Sequence, residues 1–518
     1  MQPRSSQSGR PRSFREYLSR LDELGDLRRI DWEVDTAFEI GAITRHSSEV
    51  CAPVPLFTNI RGHSGYRVVG APLAYSSSAE ARMARVAIAL GLAPTTPGGR
   101  IVEELAAAMH REPIAPVVVE DAPCHEKVLV GDAADLMSLP TPLLHVGDGG
   151  RYINTIGIFV VASPDRKWTN WSIARAMLID GKRMTGIVSA SQHNNVIRQM
   201  WQQRGEPMPF ALVQGPEPSA LFVGGMPLPD GVNEAGFLGG LFGEPMETVR
   251  CKTVDLEVPA SAELVIEGYL ADDETWLEGP TGEYHGYLPT VRKHRPVYHV
   301  TAITHRAEPI IPVVCAGKPV DEDHTICGPG IAAVLLEELR RADLPVISAW
   351  VVPESACTLL AVCVSPDWAQ LTGLTSADLA RRILDVCKAP DAAHAGWWIN
   401  RLMVVNHDID PTDMRDLLWA WSTRCHPVTG RETVMDQRIP AGVVFYSEAE
   451  RSAARGPVEV LDCLLPIGQN VPRSTAFSVN FPADLQRRVL TRLNHDQPTG
   501  RFQADLAARY GSGEPGDQ

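Results

Sequence analysis

The chain has 518 residues, of which 44% are hydrophobic, and it contains 42 glycines and 41 prolines. This length and composition predict a globular protein with about two to four domains. The 48 basic and 63 acidic residues give a formal charge of -15, which argues against nucleic acid and anionic membranes as partners. Ten cysteines without a C-x-x-C pair indicate reduced thiols in a cytoplasmic protein. No apolar run reaches the roughly 18 residues of a membrane span, and the first residues lack the apolar segment of a secretory signal.

The first predicted element is a helix over "SFREYLSRLDELG". Ser13 and Glu16 have the spacing of a capping box, and Gly25 provides the stop. An apolar face is formed by Phe14, Tyr17, Leu18, Leu21 and Leu24. We expect this helix to open an N-terminal α/β domain over residues 1–115, completed by about residues 307–322.

From about residue 116 the pattern changes to strands. The segment "NWSIARAMLIDGKRMTGIVSA" predicts two strands joined by Asp180-Gly181, the pair that a tight type I′ hairpin prefers. The segment "TVDLEVPASAELVIEGYL" alternates apolar and polar residues and predicts a second hairpin. An antiparallel barrel or sandwich over residues 116–306 fits this part of the chain.

After about residue 323 helices and strands alternate, which predicts a layered α/β domain over residues 323–490. The predicted helices are "IAAVLLEELRRADLP", "ADLARRILDVCKA" and "PTDMRDLLWAWSTR", and the predicted strands are "VISAWVV", "TLLAVCV" and "RLMVV". Residues 491–518 are expected to form a final helix and a tail, and "YGSGEPGDQ" is typical of disorder.

Two carboxylates in the middle of the chain are candidates for acid–base chemistry. Glu278 and Glu283 lie on either side of a Pro-Thr-Gly turn in "EGPTGEYHGY". In distinct environments such a pair supplies one ionised carboxylate and one proton donor, although loop glutamates are commonly solvated surface groups. Arg175 is predicted to lie in a strand with apolar neighbours in "TNWSIARAM", where a guanidinium needs an anionic partner, either a structural acid or a ligand.

Asn170, His193 and Glu234 offer an amide oxygen, an imidazole and a carboxylate. This mixed set suits Mg²⁺ or Mn²⁺, which complete their coordination with water and phosphate oxygens, but the spacing alone is weak support. The Gly-rich "GFLGGLFGE" matches neither a P-loop nor a dinucleotide fingerprint and favours a flexible or tightly packed segment.

Six motifs together carry a resemblance. They are "TNWSIARAM", "SQHNN", "MPLPDGVNEAG", "EGPTGEY", "DEDHT" and "VVNHDIDPTDMRDLLWAWSTR". In this order and spacing they resemble the UbiD family of decarboxylases that depend on prenylated FMN, and "MPLPDGVNEAG" and "DEDHT" are most similar to its ferulic/cinnamic acid decarboxylase branch. The match runs from the N-terminal helix to about residue 485.

The resemblance implies a central split β-barrel that binds prenylated FMN, a cofactor supplied by a flavin prenyltransferase. It implies that Asn170, His193 and Glu234 bind Mn²⁺ or Mg²⁺ at the flavin phosphate. It implies a K⁺ ion held by Glu234 and main-chain carbonyls, which match Trp171, Val223, Gly224 and Met226. The flavin contacts implied are Asn170, Ser172, Ile173, Ala174, Arg175, Gln192, His193, Glu234 and Arg401. The C-terminal domain is the part that dimerises in relatives, so a homodimer or higher homo-oligomer is expected.

The catalytic trio implied by the resemblance is Arg175, Glu278 and Glu283. Removal of CO₂ from an sp² carbon leaves an anion without an orbital to delocalise it, so the reaction needs an electron sink that side chains lack. We expect Arg175 to hold the substrate carboxylate, Glu278 to fix Arg175, and Glu283 to protonate the carbon that CO₂ has left. A conventional FMN oxidoreductase or a non-catalytic flavin-binding subunit are the alternatives.

Two details are specific to this chain. Many relatives carry a Lys that reaches the flavin phosphate, whereas this chain has Asn400 and Arg401 in "WWINRLMVV", so either Arg401 replaces it or the phosphate loses a cation. The positions matching the substrate pocket include Ser189, Gln192 and Thr325, which are small or neutral. A second substrate carboxylate would lack a charge partner there, which predicts a monocarboxylic acid. An apolar aryl-acrylate of the cinnamate type or a bulkier unsaturated acid is expected, with a heteroaromatic acid as the alternative.

Overall fold

The computed structural model describes residues 9–188, 192–467 and 474–493. Its contacts divide the chain into two compact units. The first comprises the chain up to residue 334 together with 353–357 and 442–445, and the second comprises 335–352, 358–441 and the chain from 446. None of the helices in the described part of the chain is both long and apolar enough to span a bilayer.

The N-terminal part of the first unit is a small mixed sheet with helices. Its elements are α1 Phe14–Glu23, β1 Leu27–Ile30, α2 Glu39–Glu49, β2 Val54–Phe57, β3 Arg67–Gly70, α3 Ala84–Ala89 and α4 Gly98–Ala108. The predicted helix α1 is confirmed, and its Ser13 side chain accepts a hydrogen bond from the Glu16 amide. The predicted capping box is only half formed, because the Glu16 side chain accepts from the Arg12 amide instead of the Ser13 amide. Leu24, predicted on the apolar face, follows the last helical residue and is 54% exposed. A later strand, Ile310–Val313, pairs in parallel with β3 and completes the sheet.

A buried ion pair connects α3 to the segment between α1 and β1. The Arg85 side chain is 2% exposed, and its Nε and Nη2 atoms donate to the two carboxylate oxygens of Asp26 at 2.8 and 2.7 Å. Arg85 also donates to the carbonyls of Ala52 and Ala71. The guanidinium therefore has both a charge partner and hydrogen-bond acceptors, as a buried cation requires.

The central part of the first unit is dominated by an antiparallel sheet, as predicted. The strands are β4 Val117–Val119, β5 Lys127–Val130, β6 Tyr152–Asn154, β7 Ile158–Ala162, β8 Thr169–Ile173, β9 Ala176–Leu178, β10 Arg183–Gly186, β11 Met208–Gln214, β12 Glu247–Arg250, β13 Glu257–Pro259, β14 Leu264–Glu278 and β15 Lys293–His305, and the strand of the N-terminal sheet that follows them is β16. The main sheet has the strand order β6-β9-β10-β15-β14-β11-β7-β8, with β5 also paired to β15, and a smaller sheet has the order β13-β12-β4. The helices are α5 His193–Gln202, α6 Pro218–Gly224 and α7 Glu234–Phe242.

One of the two predicted hairpins is confirmed and the other is wrong. β9 and β10 pair in antiparallel fashion around Asp180, whose amide donates to the Arg183 carbonyl. The turn is not of the predicted type I′, because neither Asp180 nor Gly181 has the positive φ that this turn requires. β13 and β14 do not pair with each other, because β13 pairs with β12 whereas β14 lies between β11 and β15. Alternation of apolar residues identifies a strand but does not identify its partner.

The remaining elements form a mixed sheet with helices, which confirms the predicted layered α/β domain. They are α8 Glu322–Arg341, β17 Val346–Val351, β18 Leu359–Val364, α9 Trp368–Thr372, α10 Ser376–Cys387, α11 Ala393–Gly396, β19 Arg401–Asn406, α12 Met414–Arg424, β20 Arg431–Arg438, α13 Glu448–Ala453, β21 Arg455–Cys463, α14 Phe477–Asn480 and α15 Ala483–Arg492. The strand order is β17-β18-β19-β21-β20, with parallel pairing in the middle and antiparallel pairing at both edges. The predicted tail from residue 494 lies outside the described residues.

Candidate active site

One arginine of the central sheet contacts both candidate catalytic carboxylates. Arg175 does not lie in a strand, as its sequence context had suggested, but in the break between β8 and β9. Its Nε atom donates to Glu278 Oε1 at 2.8 Å, and its Nη1 atom donates to Glu283 Oε1 at 2.5 Å. Glu278 is the last residue of β14, and Glu283 lies in the loop that leads to β15. The structure therefore brings the three predicted catalytic residues together.

The two carboxylates differ in how firmly they are held. The Glu278 side chain is 2% exposed, and its Oε1 atom also accepts a hydrogen bond from the Tyr152 hydroxyl at 2.7 Å. Arg295 Nε lies 3.9 Å from Glu278 Oε2. The Glu283 side chain is 22% exposed, with Arg175 as its ion-pair partner. Glu278 is thus buried and held by both Arg175 and Tyr152, whereas Glu283 is more exposed and is held by Arg175.

The electrostatics of the cluster keep its arginine charged. Burial by itself lowers the pKa of Arg175, but Glu283 and Glu278 outweigh it and raise this pKa above its ordinary value. Burial raises the pKa of Tyr152, and Glu278 raises it further, so Tyr152 is a neutral hydrogen-bond donor. The sequence analysis missed Tyr152 and Arg295. Tyr152 lies 126 residues from Glu278 along the chain, and no local motif marks it.

The three predicted metal ligands also lie together. Asn170 Nδ2 donates to Glu234 Oε1 at 2.7 Å and lies 3.4 Å from His193 Nδ1. Asn170 is in β8, whereas His193 and Glu234 are the first residues of α5 and α7. His193 Nε2 is 2.9 Å from Asp230 Oδ1, a contact that the sequence analysis missed although Asp230 belongs to the same "MPLPDGVNEAG" motif as Glu234.

This cluster has the properties of a cation site. Burial raises the pKa of Glu234 to about 8, and hydrogen bonds from the Trp171 amide and from Asn170 offset only part of that effect. Asn170 Oδ1 is buried and has no hydrogen-bond partner among the described residues. A buried carboxylate and an unsatisfied amide oxygen are both hard ligands, so Mg²⁺ or Mn²⁺ would fit here.

The remaining predicted flavin and K⁺ contacts surround β8. Ser172 Oγ is buried without a hydrogen-bond partner in the described part of the chain. Gln192 Nε2 donates to the Ile173 carbonyl at 3.2 Å, and Ala174 is buried. Three of the predicted K⁺ ligands, Val223, Gly224 and Met226, lie at the end of α6 or directly after it, and the Met226 amide donates to the Val223 carbonyl. A Cβ on Gly224 would lie 3.7 Å from Ile173 Cγ1.

The other predicted pocket and flavin residues are Thr325, Arg401 and Ser189. Thr325 is buried and its hydroxyl donates to the Leu73 carbonyl at 2.8 Å. Arg401 belongs to the second unit, where its Nε atom lies 3.3 Å from Glu459 Oε2. Ser189 lies outside the described residues. Their roles at the pocket and the flavin phosphate stay predictions.

Family models match most of the chain. They are the N-terminal, Rift-related and C-terminal domains of 3-octaprenyl-4-hydroxybenzoate carboxy-lyase, over residues 18–109, 116–319 and 324–445. Pyrrole-2-carboxylic acid decarboxylase from Pseudomonas aeruginosa is 40% identical over 484 residues, covering 92% of this chain and 97% of the relative. Ferulic acid decarboxylase 1 from Saccharomyces cerevisiae is 34% identical over 492 residues, covering 93% and 97%. Among solved structures, the evolved dimeric form of the UbiD-class enzyme HmfF from Pelotomaculum thermopropionicum, in complex with prenylated FMN, is similar with a TM-score of 0.74 and 26% identity, covering 90% of this chain and 97% of that one.

Proposed function

Because the chain belongs to the UbiD family of carboxy-lyases, we propose that it catalyses the reversible, non-oxidative decarboxylation of an aromatic or α,β-unsaturated monocarboxylic acid with prenylated FMN as cofactor. The observation that carries the proposal is the contact of Arg175 with both Glu278 and Glu283. A cation next to one fixed and one freer carboxylate is what anchoring an acid and then delivering a proton require. When bound, prenylated FMN supplies the electron sink that the side chains lack.

Arg175 is the group that anchors the substrate carboxylate. Its fork of N–H donors matches the geometry of a carboxylate. Glu278 accepts hydrogen bonds from Arg175 Nε and, at 3.3 Å, from Nη2. The remaining nitrogen, Nη1, donates to Glu283. Exchange of Glu283 for the substrate carboxylate at Nη1 would leave the Glu278 contacts intact.

Glu283 is the group that delivers the proton. A proton donor has to move between its resting partner and the reacting carbon, and Glu283 is the more exposed of the two carboxylates. Glu278 is held by Arg175 and Tyr152, so it serves as a fixed counter-charge. The two glutamates therefore have separate tasks, one at the end of β14 and the other in the loop that follows it.

Asn170, His193 and Glu234 are the side chains that would hold Mn²⁺ or Mg²⁺ at the flavin phosphate. The raised pKa of Glu234 and the unsatisfied Asn170 Oδ1 support a cation at this position. Main-chain carbonyls of Trp171, Val223, Gly224 and Met226 would hold K⁺ next to it, with Glu234 shared.

A heteroaromatic monocarboxylic acid of the pyrrole-2-carboxylate type is the substrate we favour. The 40% identical relative bears the name of a pyrrole-2-carboxylic acid decarboxylase and covers nearly the whole chain. An aryl-acrylate of the cinnamate type is the second candidate, supported by the 34% identical ferulic acid decarboxylase. A dicarboxylic acid is disfavoured, because Glu278 already engages Arg175 and Arg295, so a second buried substrate carboxylate would lack a cation of its own.

The test is to produce the protein with and without a flavin prenyltransferase and to measure CO₂ release from pyrrole, cinnamic and dicarboxylic acids. We expect turnover of monocarboxylic acids only by the protein produced with the prenyltransferase, together with solvent deuterium exchange into the product. Full activity without the prenyltransferase would contradict the cofactor, and turnover confined to dicarboxylic acids would contradict the substrate. Bleaching of the bound flavin by NAD(P)H would instead favour a conventional FMN oxidoreductase.

A further inference from the structure

A buried aspartate–histidine pair holds the main chain directly after Glu283. His324 Nδ1 lies 2.9 Å from Asp321 Oδ1, and both side chains are 0% exposed. His324 Nε2 lies 2.7 Å from the carbonyl oxygen of Tyr284. A carbonyl oxygen only accepts hydrogen bonds, so Nε2 carries a hydrogen and donates it to Tyr284. The carbonyl of Tyr284, the residue that follows Glu283, is thereby fixed from the start of α8.

A second pair holds the main chain directly before Glu283. Asp148 Oδ2 lies 3.2 Å from His145 Nδ1, and Asp148 Oδ1 accepts a hydrogen bond from the Gly282 amide at 3.3 Å. Burial opposes protonation of His145, but Asp148 and Cys315 outweigh it and raise its pKa to about 10. The charged imidazole can donate from both nitrogens, with Nε2 directed to the Ala316 carbonyl at 2.8 Å.

The two pairs are joined through one segment of chain. Arg45 Nη1 donates to Asp321 Oδ2 at 2.7 Å and to the Cys315 carbonyl at 2.9 Å. The Gly317 amide also donates to Asp321 Oδ2, at 3.1 Å. Residues 315–317 thus contact both pairs, and the network encloses the Glu283 loop from two sides. The packing is close, since a Cβ on Gly282 would lie 2.4 Å from His145 Cε1.

We propose that the Asp321–His324 and Asp148–His145 pairs are positioning residues that hold the Gly282 amide and the Tyr284 carbonyl, in the two residues that flank Glu283, so that its carboxyl group reaches the reacting carbon. The inference rests on the proposed role of Glu283 as proton donor. Both pairs act through main-chain atoms and not through the Glu283 carboxylate, which contacts Arg175. Displacement of a reacting group by about 1 Å can cost about 10²-fold in rate, so such a support matters to turnover more than to substrate binding.

Substitutions with asparagine and glutamine distinguish the two nitrogens of each histidine. The amide of Gln extends to about the position of Nε2, whereas the amide of Asn remains near the position of Nδ1. At position 324 the contact to the loop is made by Nε2, so we expect His324→Gln to retain kcat within about fivefold and His324→Asn to lose about 10–100-fold. At position 145 the contact to Asp148 is made by Nδ1, so the order is reversed, and His145→Asn should be the more active variant.

The experiment uses the full chain loaded with prenylated FMN and records kcat, KM, bound flavin and Tm for the four variants. We expect losses in kcat, with KM within about twofold and flavin content unchanged. His63 contacts the Ser138 carbonyl outside this network, so His63→Asn and His63→Gln are matched controls that should leave kcat unchanged. The proposal would be overturned if the Gln variant had the higher kcat at both positions, if the Asn variant had the higher kcat at both, or if Asn and Gln lowered kcat equally. If the variants at one position do not fold, the order at the other position decides.

A combination with Glu283→Gln separates this inference from the proposed function. In a Glu283→Gln background, His324→Asn should change kcat by less than about twofold, because the group that it positions has already been removed. An additional loss as large as in the native background would overturn the positioning role. An unchanged kcat for Glu283→Gln alone would instead overturn the role of Glu283 as proton donor, whatever the histidine variants show.

Discussion

At the scale of single residues, the site depends on an unequal sharing of one guanidinium. Arg175 contacts Glu278 through two of its nitrogens and Glu283 through one. Replacement of either glutamate by glutamine conserves size but removes a negative charge. Loss of the Glu278 charge would release Arg175 from its fixed position, whereas loss of the Glu283 charge leaves that position intact. The two substitutions should therefore differ in their effect on KM.

We predict that Glu283→Gln lowers kcat by about 10²-fold or more and retains the flavin, because an amide cannot donate a carboxylic proton. Steady-state kinetics together with flavin absorbance would check this. Glu274→Gln is a matched control, since Glu274 pairs with Arg183 and His299 on the same sheet. Near-normal turnover of Glu283→Gln would make another group the proton donor.

His193 is the residue whose loss should affect metal and flavin together. We predict that His193→Ala loses both from the purified protein, because Asn170 and Glu234 alone would give the cation too few protein ligands. Metal analysis and the flavin spectrum would measure the loss. His299→Ala removes a histidine that pairs with Glu274 and should retain both. Full occupancy in His193→Ala would remove His193 from the site.

At the scale of elements, the buried ion pair of Arg85 in α3 with Asp26, just after α1, should contribute strongly to the free energy of unfolding. We predict that Arg85→Met destabilises the protein by about 3–5 kcal/mol, because it leaves the buried carboxylate of Asp26 without its partner. Urea unfolding at pH 7 would measure this. Arg61→Met, which breaks an exposed pair with Glu33, should have little effect. Equal midpoints for Arg85→Met and the native chain would contradict the prediction.

The Arg85–Asp26 pair also determines whether the stability of the protein rises or falls with pH. Burial alone would raise the pKa of Asp26, but Arg85 outweighs burial and holds this pKa below its ordinary value of 3.8. The stabilisation is therefore complete above about pH 4 and is lost as the pH falls through the lower, folded-state pKa. The difference between Arg85→Met and the native chain should shrink in that acid range. A difference that grows there would show the opposite sign.

Local sequence patterns predicted helices and strands, whereas the pairing of the strands and the contacts of the site depend on residues far apart in the chain. The hairpin at Asp180 depends on its own turn residues and was predicted, whereas the partners of β13 and β14 depend on distant strands and were not. The contacts among Arg175, Glu278 and Glu283 were predicted through the motif resemblance, because their separations of 103 and 108 residues carry no local signal. Tyr152 was missed for the same physical reason.

At the scale of the whole molecule, the second unit exposes large apolar side chains on α12. Leu418 is 57% exposed and Trp421 is 45% exposed. Exposed apolar residues that cluster on one helix commonly mark an interface. We predict a dimer or larger homo-oligomer at micromolar concentration by light scattering, and dissociation by Leu418→Lys. Leu24→Lys, at an exposed position after α1, is the control, and a monomeric native chain would contradict the prediction.

The cluster of Arg175, Arg295, Glu278 and Glu283 is nearly neutral, in a chain with a formal charge of -15. This charge balance affects the thermodynamics of substrate binding. A substrate carboxylate adds a negative charge to a site that has no further cation in contact with it among the described residues. Binding should therefore be accompanied by the uptake of about one proton, which restores neutrality and leaves a donor loaded. The heat of binding of an unreactive acid of the same shape would then differ between phosphate and Tris buffers by the difference in their ionisation enthalpies. Heats that are equal in both buffers would show that the acid binds without a proton.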